Sequence, residues 1–349
     1  MILVNNPGTW RAVYRPLQHA HWNGCTPPDL IFPFFLFIVG VAITLSIGSR
    51  AWNGEGRRQL LVKIVRRTLI IFALGIFLNG FPQFDWSEVR IPGVLQRIAA
   101  CYFFACLIVI TMGVRAQAAT TVALLVGYWA VMKLVPIPGH PAGLLRPGHN
   151  LAAYIDSTVL HGHLLHHHWD PEGILSTVPA IATTLTGVLT GHWMCAARSP
   201  LARLWGLFIA GNVCLVLGVV MNYWFPINKS LWTSSYVVFT TGMALNFFGV
   251  CYWLVDIRQW RCWATPFVIY GTNAILAYML STLTAKALLL WRVTESDGSK
   301  VVLQRYVFEH AFLRLASPMN ASLLYAIAYV LCWLGITAIL YHKKIFIKI

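Results

Sequence analysis

The chain has 349 residues, of which 58% are hydrophobic and only 11% are charged, and its formal net charge is +15. A soluble domain carries roughly 25% charged residues, so this composition excludes an ordinary water-facing globular protein and argues against a nucleic-acid-binding domain. A basic membrane protein, with the lipid bilayer as its first partner, is the class that fits.

Apolar runs long enough to cross a bilayer follow one another along the chain. A transmembrane helix needs about 20 mostly apolar residues, and the sequence is interpreted as holding nine such runs. They cover residues 29–49, 67–83, 94–113, 117–136, 174–196, 201–223, 232–254, 265–290 and 322–342. The opening Met1–Val4 is apolar but short, and is interpreted as a truncated N-terminal span. The prediction is an all-α, polytopic membrane helix bundle that forms one integral membrane domain over 1–349.

Lysine and arginine are unevenly distributed over the connections, which predicts the orientation. Every second connection between the predicted spans belongs to one set, and this set together with the C-terminal tail holds 14 cations but only two acids, Glu55 and Asp256. Its cations are Arg50, Arg57, Arg58, Lys63, Arg66, Arg67, Arg115, Arg198, Arg203, Arg258, Arg261, Lys343, Lys344 and Lys348. This set and the C-terminus are expected in the cytoplasm. The segments expected outside are 9–28, 84–93, 137–173, 224–231 and 291–321.

The first outer segment carries two histidines, His19 and His21, shortly before Asp29 opens the next span. A neutral imidazole is well suited to moving a proton near neutral pH, and asparagine side chains nearby can orient it. The alternative is that the histidines are ordinary interfacial residues and that Asp29 only caps a helix.

Segment 137–173 is long for a connection between spans, so it is expected to form an extracytoplasmic cap. Histidines with nearby carboxylates can bind zinc, although this spacing fits no metal motif and a solvated loop is the competing interpretation. The side chains concerned are His140, His149, Asp156, His161, His163, His166, His167, His168, Asp170 and Glu172.

Polar residues in or beside the apolar runs indicate a polar interior, because such groups in hydrocarbon usually face a cavity or a partner helix. They are Arg97, His192, Lys229 and Asn273. Individually each also fits a snorkelling residue or a contact between helices. The sequence contains no Walker A loop, HExxH, GxSxG or dinucleotide fingerprint, which argues against an ATP-driven pump and a metalloprotease.

Eight short strings resemble, in order, the heparan-alpha-glucosaminide N-acetyltransferase family, including its bacterial NagX-type members. The strings are Asn5–Gly8, His19–Gly24, Asp29–Phe34, Pro92–Arg97, Tyr154–Asp156, Asp170–Leu175, Ile227–Trp232 and Gly271–Ile275. Each string alone is weakly specific, but together they span almost the whole chain. Family members normally begin with a full first span that carries an Asp-x-x-x-Arg-Gly string. This sequence starts at Met1, four residues before Asn5, and does not contain that part of the span.

The resemblance implies an acyltransferase that moves an acetyl group from cytosolic acetyl-CoA to the amine of a glucosamine-type sugar across the membrane. The family's catalytic histidine falls on His19, as base or acetyl carrier, and its active-site asparagine falls on Asn5. Positions that match recurrent family residues are expected to bind substrate: Asp29, Arg97, Asp156, Asp170, Glu172, Lys229 and Asn273. Arg66 and Arg67 are candidates for the CoA phosphates, or simply follow the positive-inside rule. No resident metal is expected.

Two alternatives stay open at this stage. A many-span bundle with a polar interior also fits a transporter of N-acetylglucosamine or a related amino sugar, and a truncated chain fits an inactive scaffold. The compact sequence predicts a bacterial inner-membrane location. A homo-oligomer is compatible with the acyltransferase, the transporter and the scaffold alike.

Overall fold

The computed structural model describes residues 1–48, 56–295 and 298–347. Arg50, Glu55 and Lys348 of the charge pattern, the last residue of predicted span 29–49 and part of segment 291–321 lie outside the described residues. Most of the described chain is helical. The helices are α1 (Ile2–Asn5), α2 (Pro27–Ile43), α3 (Arg57–Gly80), α4 (Val94–Thr111), α5 (Val114–Leu134), α6 (Leu151–Val159), α7 (Ile174–Cys195), α8 (Pro200–Met221), α9 (Ser234–Tyr252), α10 (Thr265–Thr272), α11 (Ala274–Leu290), α12 (Leu303–Val307) and α13 (Pro318–His342).

Two short antiparallel hairpins complete the fold. In one, β1 (Leu145–Arg146) pairs with β2 (His149–Asn150), and in the other, β3 (Arg292–Thr294) pairs with β4 (Lys300–Val302). Gly148 closes the first hairpin with φ +70°, a conformation that glycine adopts at little steric cost.

Seven helices in the described part of the chain are long and apolar enough to cross a membrane, so the chain is an integral membrane protein. They are Pro27–Ile47, Val94–Thr111, Val114–Leu134, Ile174–Cys195, Pro200–Met221, Ser234–Ile257 and Pro318–His342. A bent pair, Cys262–Thr272 with Ala274–Leu290, raises the count to eight if it forms one broken span.

The predicted count of nine full spans is not confirmed, for two physical reasons. Span 67–83 corresponds to the second half of α3, whose first half carries five cations. The 13 apolar-rich residues after Arg67 rise only about 20 Å, which is too short to cross the hydrocarbon core of a bilayer. Span 265–290 is broken at Asn273, where the helix axis turns by 73°. Apolar composition predicted a continuous helix there because it carries no information about a break in the backbone.

The chain divides into two compact units. The terminal unit consists of residues 1–19, 26–28 and 260–349, and the central unit consists of residues 20–25 and 29–259. In the terminal unit the N-terminal segment lies on α13: the N–H of Gly8 donates to the carbonyl of Ser322 at 3.3 Å. The Gln304 side chain donates to the carbonyl of Pro7, also at 3.3 Å.

In the central unit, α2 and α7 cross with their main chains in contact. A Cβ placed on Gly40 would lie 1.9 Å from the carbonyl oxygen of Thr184, and a Cβ on Gly187 would lie 1.9 Å from that of Phe37. Only glycine fits such an approach, as is common where membrane helices pack closely.

The cap, residues 137–173, holds the β1–β2 hairpin and α6. Asn150 caps α6 by accepting the N–H of Ala153 at 2.9 Å. Beneath the cap, Tyr128, Phe225 and Leu231 are buried with cap residues in one apolar cluster, and the Tyr128 hydroxyl donates to the Leu231 carbonyl at 2.5 Å. The cap therefore rests on the ends of the central helices.

Candidate functional site

His19 is an exposed residue whose two backbone neighbours are both held by side chains. On one side, the Thr26 hydroxyl donates to the carbonyl of Gln18 at 2.8 Å. On the other side, the N–H of Ala20 donates to Asp29 Oδ2 at 3.1 Å. These contacts restrict the backbone from which the imidazole projects. Asn5, the other predicted catalytic residue, ends α1 with an exposed side chain.

The carboxylate of Asp29 lies at the start of α2 and is only 1% exposed. Its Oδ1 is 3.3 Å from the ammonium of Lys229, and its main-chain carbonyl accepts the hydroxyl proton of Tyr236 at 2.6 Å. A buried carboxylate needs such compensation, because an isolated charge in a low-dielectric interior is costly. Asp29 and Lys229, predicted separately from strings 200 residues apart, are thus brought together.

The loop before Lys229 is shaped by Asn228, which the sequence analysis did not single out. Its Oδ1 accepts the N–H of Leu231 at 2.8 Å, and its amide nitrogen donates to Asn23 Oδ1 at 3.1 Å. The N–H of Gly24 donates to the carbonyl of Ile227 at 2.7 Å. The loop that carries Lys229 is therefore hydrogen-bonded directly to the string that follows His19.

Cys25, in the same string, lies in surroundings that favour its neutral thiol. Burial, reinforced by the negative charge of Asp29 and opposed by Lys229, raises the pKa of its thiol to about 12. Since the thiolate is the reactive form, this environment disfavours nucleophilic chemistry at Cys25.

A second cluster joins the cap to the helices. Arg90 makes a two-pronged contact with Asp170, Nε to Oδ2 at 2.8 Å and Nη2 to Oδ1 at 2.6 Å, and Nη2 also donates to Glu172. Burial alone would lower the pKa of Arg90, but the hydrogen bonds and charges of Asp170 and Glu172 outweigh it and raise the pKa. Arg90 stays charged and fixes both acids.

Asp156 caps α7 from another element. Gly173, the residue before α7, has no side chain to cap the helix, and Asp156 Oδ1 accepts the N–H of Ile174 at 2.8 Å. A carboxylate at this position also interacts favourably with the helix dipole. Burial raises the pKa of Asp156 to about 6, although the Ile174 hydrogen bond acts in the opposite direction.

Arg97 lies under this cluster, 2% exposed, on the first turn of α4. Its Nη2 donates to the hydroxyl of Ser176 and, at 3.3 Å, to the carbonyl of Gly173. Its Nε and Nη1 are buried and have no hydrogen-bond partner among the described residues. A buried cation with two free donors matches a carbonyl or an anionic group of a bound molecule.

Trp232 connects the two clusters, and the sequence analysis missed its role. The Arg97 guanidinium lies 5.0 Å from the centroid of its ring, and the ring packs edge to face on Tyr236 at 5.3 Å. Trp232 is 1% exposed, donates from Nε1 to Thr183 at 3.0 Å, and has φ +52°. A bulky residue in the left-handed region is strained by about 1–3 kcal/mol. Its position inside one of the family-like strings was the available signal.

The remaining predicted residues make other contacts. Asn273 is buried and holds the C-terminal tail, donating to the carbonyl of Ile345 at 3.1 Å and accepting the N–H of Ile347 at 3.0 Å. Arg66 and Arg67 are exposed on α3, with Arg67 4.8 Å from the ring centroid of Tyr102. Among the described residues, no group of three or more His, Cys, Asp or Glu side chains is arranged to hold a metal ion.

Comparison with known proteins confirms the resemblance carried by the eight strings. A family described as a domain of unknown function, DUF5009, matches residues 12–139. In alignments of 410 residues that cover the whole chain, the sequence is 30% identical to heparan-alpha-glucosaminide N-acetyltransferase of Homo sapiens and 28% identical to that of Mus musculus. The chain spans 58% of the length of each of these relatives. It is thus homologous, along its entire length, to the heparan-alpha-glucosaminide N-acetyltransferases.

Proposed function

We propose that the protein transfers an acetyl group from cytosolic acetyl-CoA to the amine of a glucosamine-type sugar on the opposite side of the membrane, with His19 at the reacting centre. The observation that carries this proposal is the pair of contacts on either side of His19, from Thr26 to Gln18 and from Ala20 to Asp29. Homology to N-acetyltransferases supports the reaction class. A backbone held on both sides limits the positions that the imidazole can take, and proton transfer at a fixed point favours such a limit.

Two routes use the same histidine. In direct transfer, the sugar amine attacks the thioester carbonyl and His19 accepts its proton; the C–N bond forms, the C–S bond breaks, and the proton passes to the CoA thiolate. In the covalent route, an imidazole nitrogen attacks the thioester carbonyl, the C–S bond breaks, and CoA leaves as the thiol with the ring proton. The amine then attacks the acetyl-imidazole, the bond from the acetyl group to the ring breaks, and the amine proton returns to the imidazole. Asn5 is the proposed donor to the carbonyl oxygen in either route.

Two cations, Arg97 and Lys229, are proposed to bind the substrates. The free donors of Arg97 suit a carbonyl or an anionic group, and the ammonium of Lys229 lies beside the string that follows His19. Asp29 holds Lys229 in position, Asp170 and Glu172 hold Arg90, and Asp156 caps α7 beside Arg97. Arg66 and Arg67 would attract the CoA phosphates. The distribution of basic residues supports a cytoplasmic C-terminus, and the compact sequence supports a bacterial inner-membrane location.

The test is transfer of labelled acetyl from acetyl-CoA to glucosamine by the purified full chain in liposomes. His19→Ala is expected to lower kcat/KM by at least about 100-fold, the usual contribution of a general base. His161→Ala, an exposed cap histidine, is the matched control and should retain activity. Acetylation that is insensitive to His19→Ala would refute the assignment.

The bent helix pair favours a second candidate, a transporter of N-acetylglucosamine or a related amino sugar. Helices broken near the middle of a membrane line the binding sites of many transporters, and α10 and α11 meet at 73°. Uptake of labelled N-acetylglucosamine into the same liposomes, without acetyl-CoA and unchanged in His19→Ala, would favour the transporter over the enzyme.

A further inference from the structure

Two arginines in the central unit lie over the faces of tryptophan rings. The guanidinium of Arg198, in the turn between α7 and α8, lies 4.0 Å from the centroid of the Trp193 ring. The guanidinium of Arg258, directly after the turn Trp253–Ile257 that continues α9, lies 5.1 Å from the centroid of the Trp253 ring. An aromatic face attracts a guanidinium, so both cations are held in place although both residues are exposed.

The turn between α7 and α8 is built around Trp193. Its indole nitrogen donates to the carbonyl of Arg203 at 3.1 Å, and its ring fills the space beside Gly206, where an added Cβ would lie 2.1 Å from the ring. Arg203 Nη2 donates to the carbonyl of Ala196 at 3.0 Å. The Nε of Arg203 is buried and has no hydrogen-bond partner among the residues that the structure describes. The turn is therefore a fixed platform that keeps one guanidinium donor unused.

The two arginine–tryptophan pairs lie at the same end of neighbouring helices. α8 and α9 pack closely: a Cβ on Gly211 would lie 2.6 Å from Asn246 Nδ2, and a Cβ on Gly249 would lie 3.2 Å from the ring of Phe208. The helices are thus antiparallel, and each step towards the start of α8 matches a step towards the end of α9 because both rise equally per residue. This register places the turn before α8 level with the turn after α9.

We call this end of the two helices the Arg–Trp face, which consists of Arg198, Arg203, Arg258, Trp193 and Trp253. Its three cations are opposed by little negative charge, because the exposed Asp256 is the only acid between residues 190 and 265. Leu201, Trp205 and Ile209 follow at helical spacing on α8, and each is more than half exposed. Since α8 is long and apolar enough to cross a membrane, these side chains are expected to contact acyl chains. A cationic surface thus continues into an apolar one.

We propose that the Arg–Trp face binds an anionic phospholipid, such as phosphatidylglycerol, from the leaflet at that end of the helices. The planar guanidinium groups donate to the phosphodiester oxygens, whose geometry they match, and tryptophan rings suit the level of the headgroups. The acyl chains lie along the exposed side chains of α8. Coenzyme A also carries phosphates, but it has no acyl tail long enough to cover this apolar surface, so the lipid is favoured.

The experiment measures the binding of phosphatidylglycerol and phosphatidylcholine to the full chain in detergent by native mass spectrometry. The double variant Arg198→Ala/Arg258→Ala removes two exposed cations of the face. The matched control, Arg58→Ala/Arg115→Ala, removes two exposed cations that are expected on the same side of the membrane but lie outside the face. One basic side chain changes the affinity for anionic lipid about fivefold, so the double variant is expected to raise the Kd for phosphatidylglycerol about 25-fold. The control should leave this Kd unchanged, and neither variant should change the Kd for phosphatidylcholine.

Three outcomes would overturn the proposal. Equal losses of affinity in the double variant and the control would show an effect of net charge alone. A parent that binds phosphatidylglycerol no more tightly than phosphatidylcholine has no such site. Coenzyme A that displaces phosphatidylglycerol, and that the double variant also binds more weakly, would assign the face to the phosphates of the coenzyme.

The thermal midpoint in phosphatidylcholine checks that the variants fold. If the double variant does not fold, Arg258→Ala alone decides, with an expected rise of about fivefold in the Kd for phosphatidylglycerol. None of these measurements requires acetyl transfer, so the lipid site and the proposed function can fail separately.

Discussion

Gly173→Ala is the substitution that tests most directly how Asp156 supports α7. Gly173 has φ −64°, which alanine adopts without strain, so the backbone itself does not oppose the change. A Cβ there would, however, lie 1.8 Å from Asp156 Oδ2 and 2.4 Å from its Cγ. The carboxylate must retreat by more than 1 Å to reach ordinary contact, and its 2.8 Å hydrogen bond to the N–H of Ile174 is then lost.

The expected cost combines two contributions. Loss of a helix cap costs about 1 kcal/mol, and crowding in a packed site costs about 1–3 kcal/mol, which gives a total of about 3 kcal/mol. With an unfolding entropy of about 2.1 cal/mol/K per residue, that corresponds to a fall of roughly 4 °C in the thermal midpoint of a chain this long. The midpoint can be followed by intrinsic tryptophan fluorescence of the detergent-solubilised protein.

The control is Gly127→Ala, on α5, where an added Cβ meets nothing within 4 Å; its midpoint should not fall. The decisive comparison repeats Gly173→Ala in an Asp156→Ala background, where the obstructing carboxylate is gone. Most of the penalty should then disappear. An equal penalty in both backgrounds would refute the steric reasoning, because the two positions would be uncoupled.

Three further predictions concern the charged clusters. Lys229→Met should lower the thermal midpoint by the equivalent of about 3 kcal/mol, because it leaves the carboxylate of Asp29, 1% exposed, buried without its partner. Asp29→Asn should cost only about 1 kcal/mol, because the Lys229 side chain that it leaves is 24% exposed and can reach solvent. The reverse order of the two midpoints would contradict this account of the pair. Arg90→Lys should cost about 2 kcal/mol by losing the two-pronged contact. Arg305→Lys, in an exposed pair with Glu309, should leave the thermal midpoint unchanged because solvent screens that pair; equal midpoints for the two variants would contradict this distinction. The pKa of Asp156 in the folded protein is raised to about 6 from an ordinary 3.8, so folding favours the protonated side chain. The contribution of this protonation to the free energy of unfolding is therefore complete below about pH 4 and declines as the pH rises to about 6. The midpoint of Asp156→Asn relative to the parent should therefore rise between pH 4.5 and pH 7 and then level off, and a difference independent of pH would count against the raised pKa.

The features that could be predicted from the sequence are those set by local composition. The spans at 94–113 and 174–196 correspond to α4 and α7 because each apolar run is bounded by a glycine and is long enough on its own. Span 67–83 was overestimated because the helix that holds most of it begins at Arg57, ten residues earlier, and ends at Gly80, and half of the ten-residue extension is charged or polar.

The features that could not be predicted depend on contacts between distant residues. Arg90 binds Asp170 and Glu172, which lie 80 and 82 positions away, and nothing in its own neighbourhood marks it. The break at Asn273 depends on a tail that returns 72 residues later. The left-handed backbone of Trp232 depends on packing against three other elements. The family-like strings identified the places where such contacts occur, but not the contacts themselves.

The glycine crossing of α2 and α7 determines which parts of the central unit can move independently. α2 begins beside the Asp29 cluster and α7 begins beside the Asp156 cluster, and where the helices meet, backbone touches backbone at Gly40 and Gly187. Contacts between side chains can slip by changing rotamer, but a contact between main chains has no rotamer to change. The two helices are therefore expected to tilt as one body, and any opening for the proposed substrates must come from elements that pack against this pair, rather than from a separation within it.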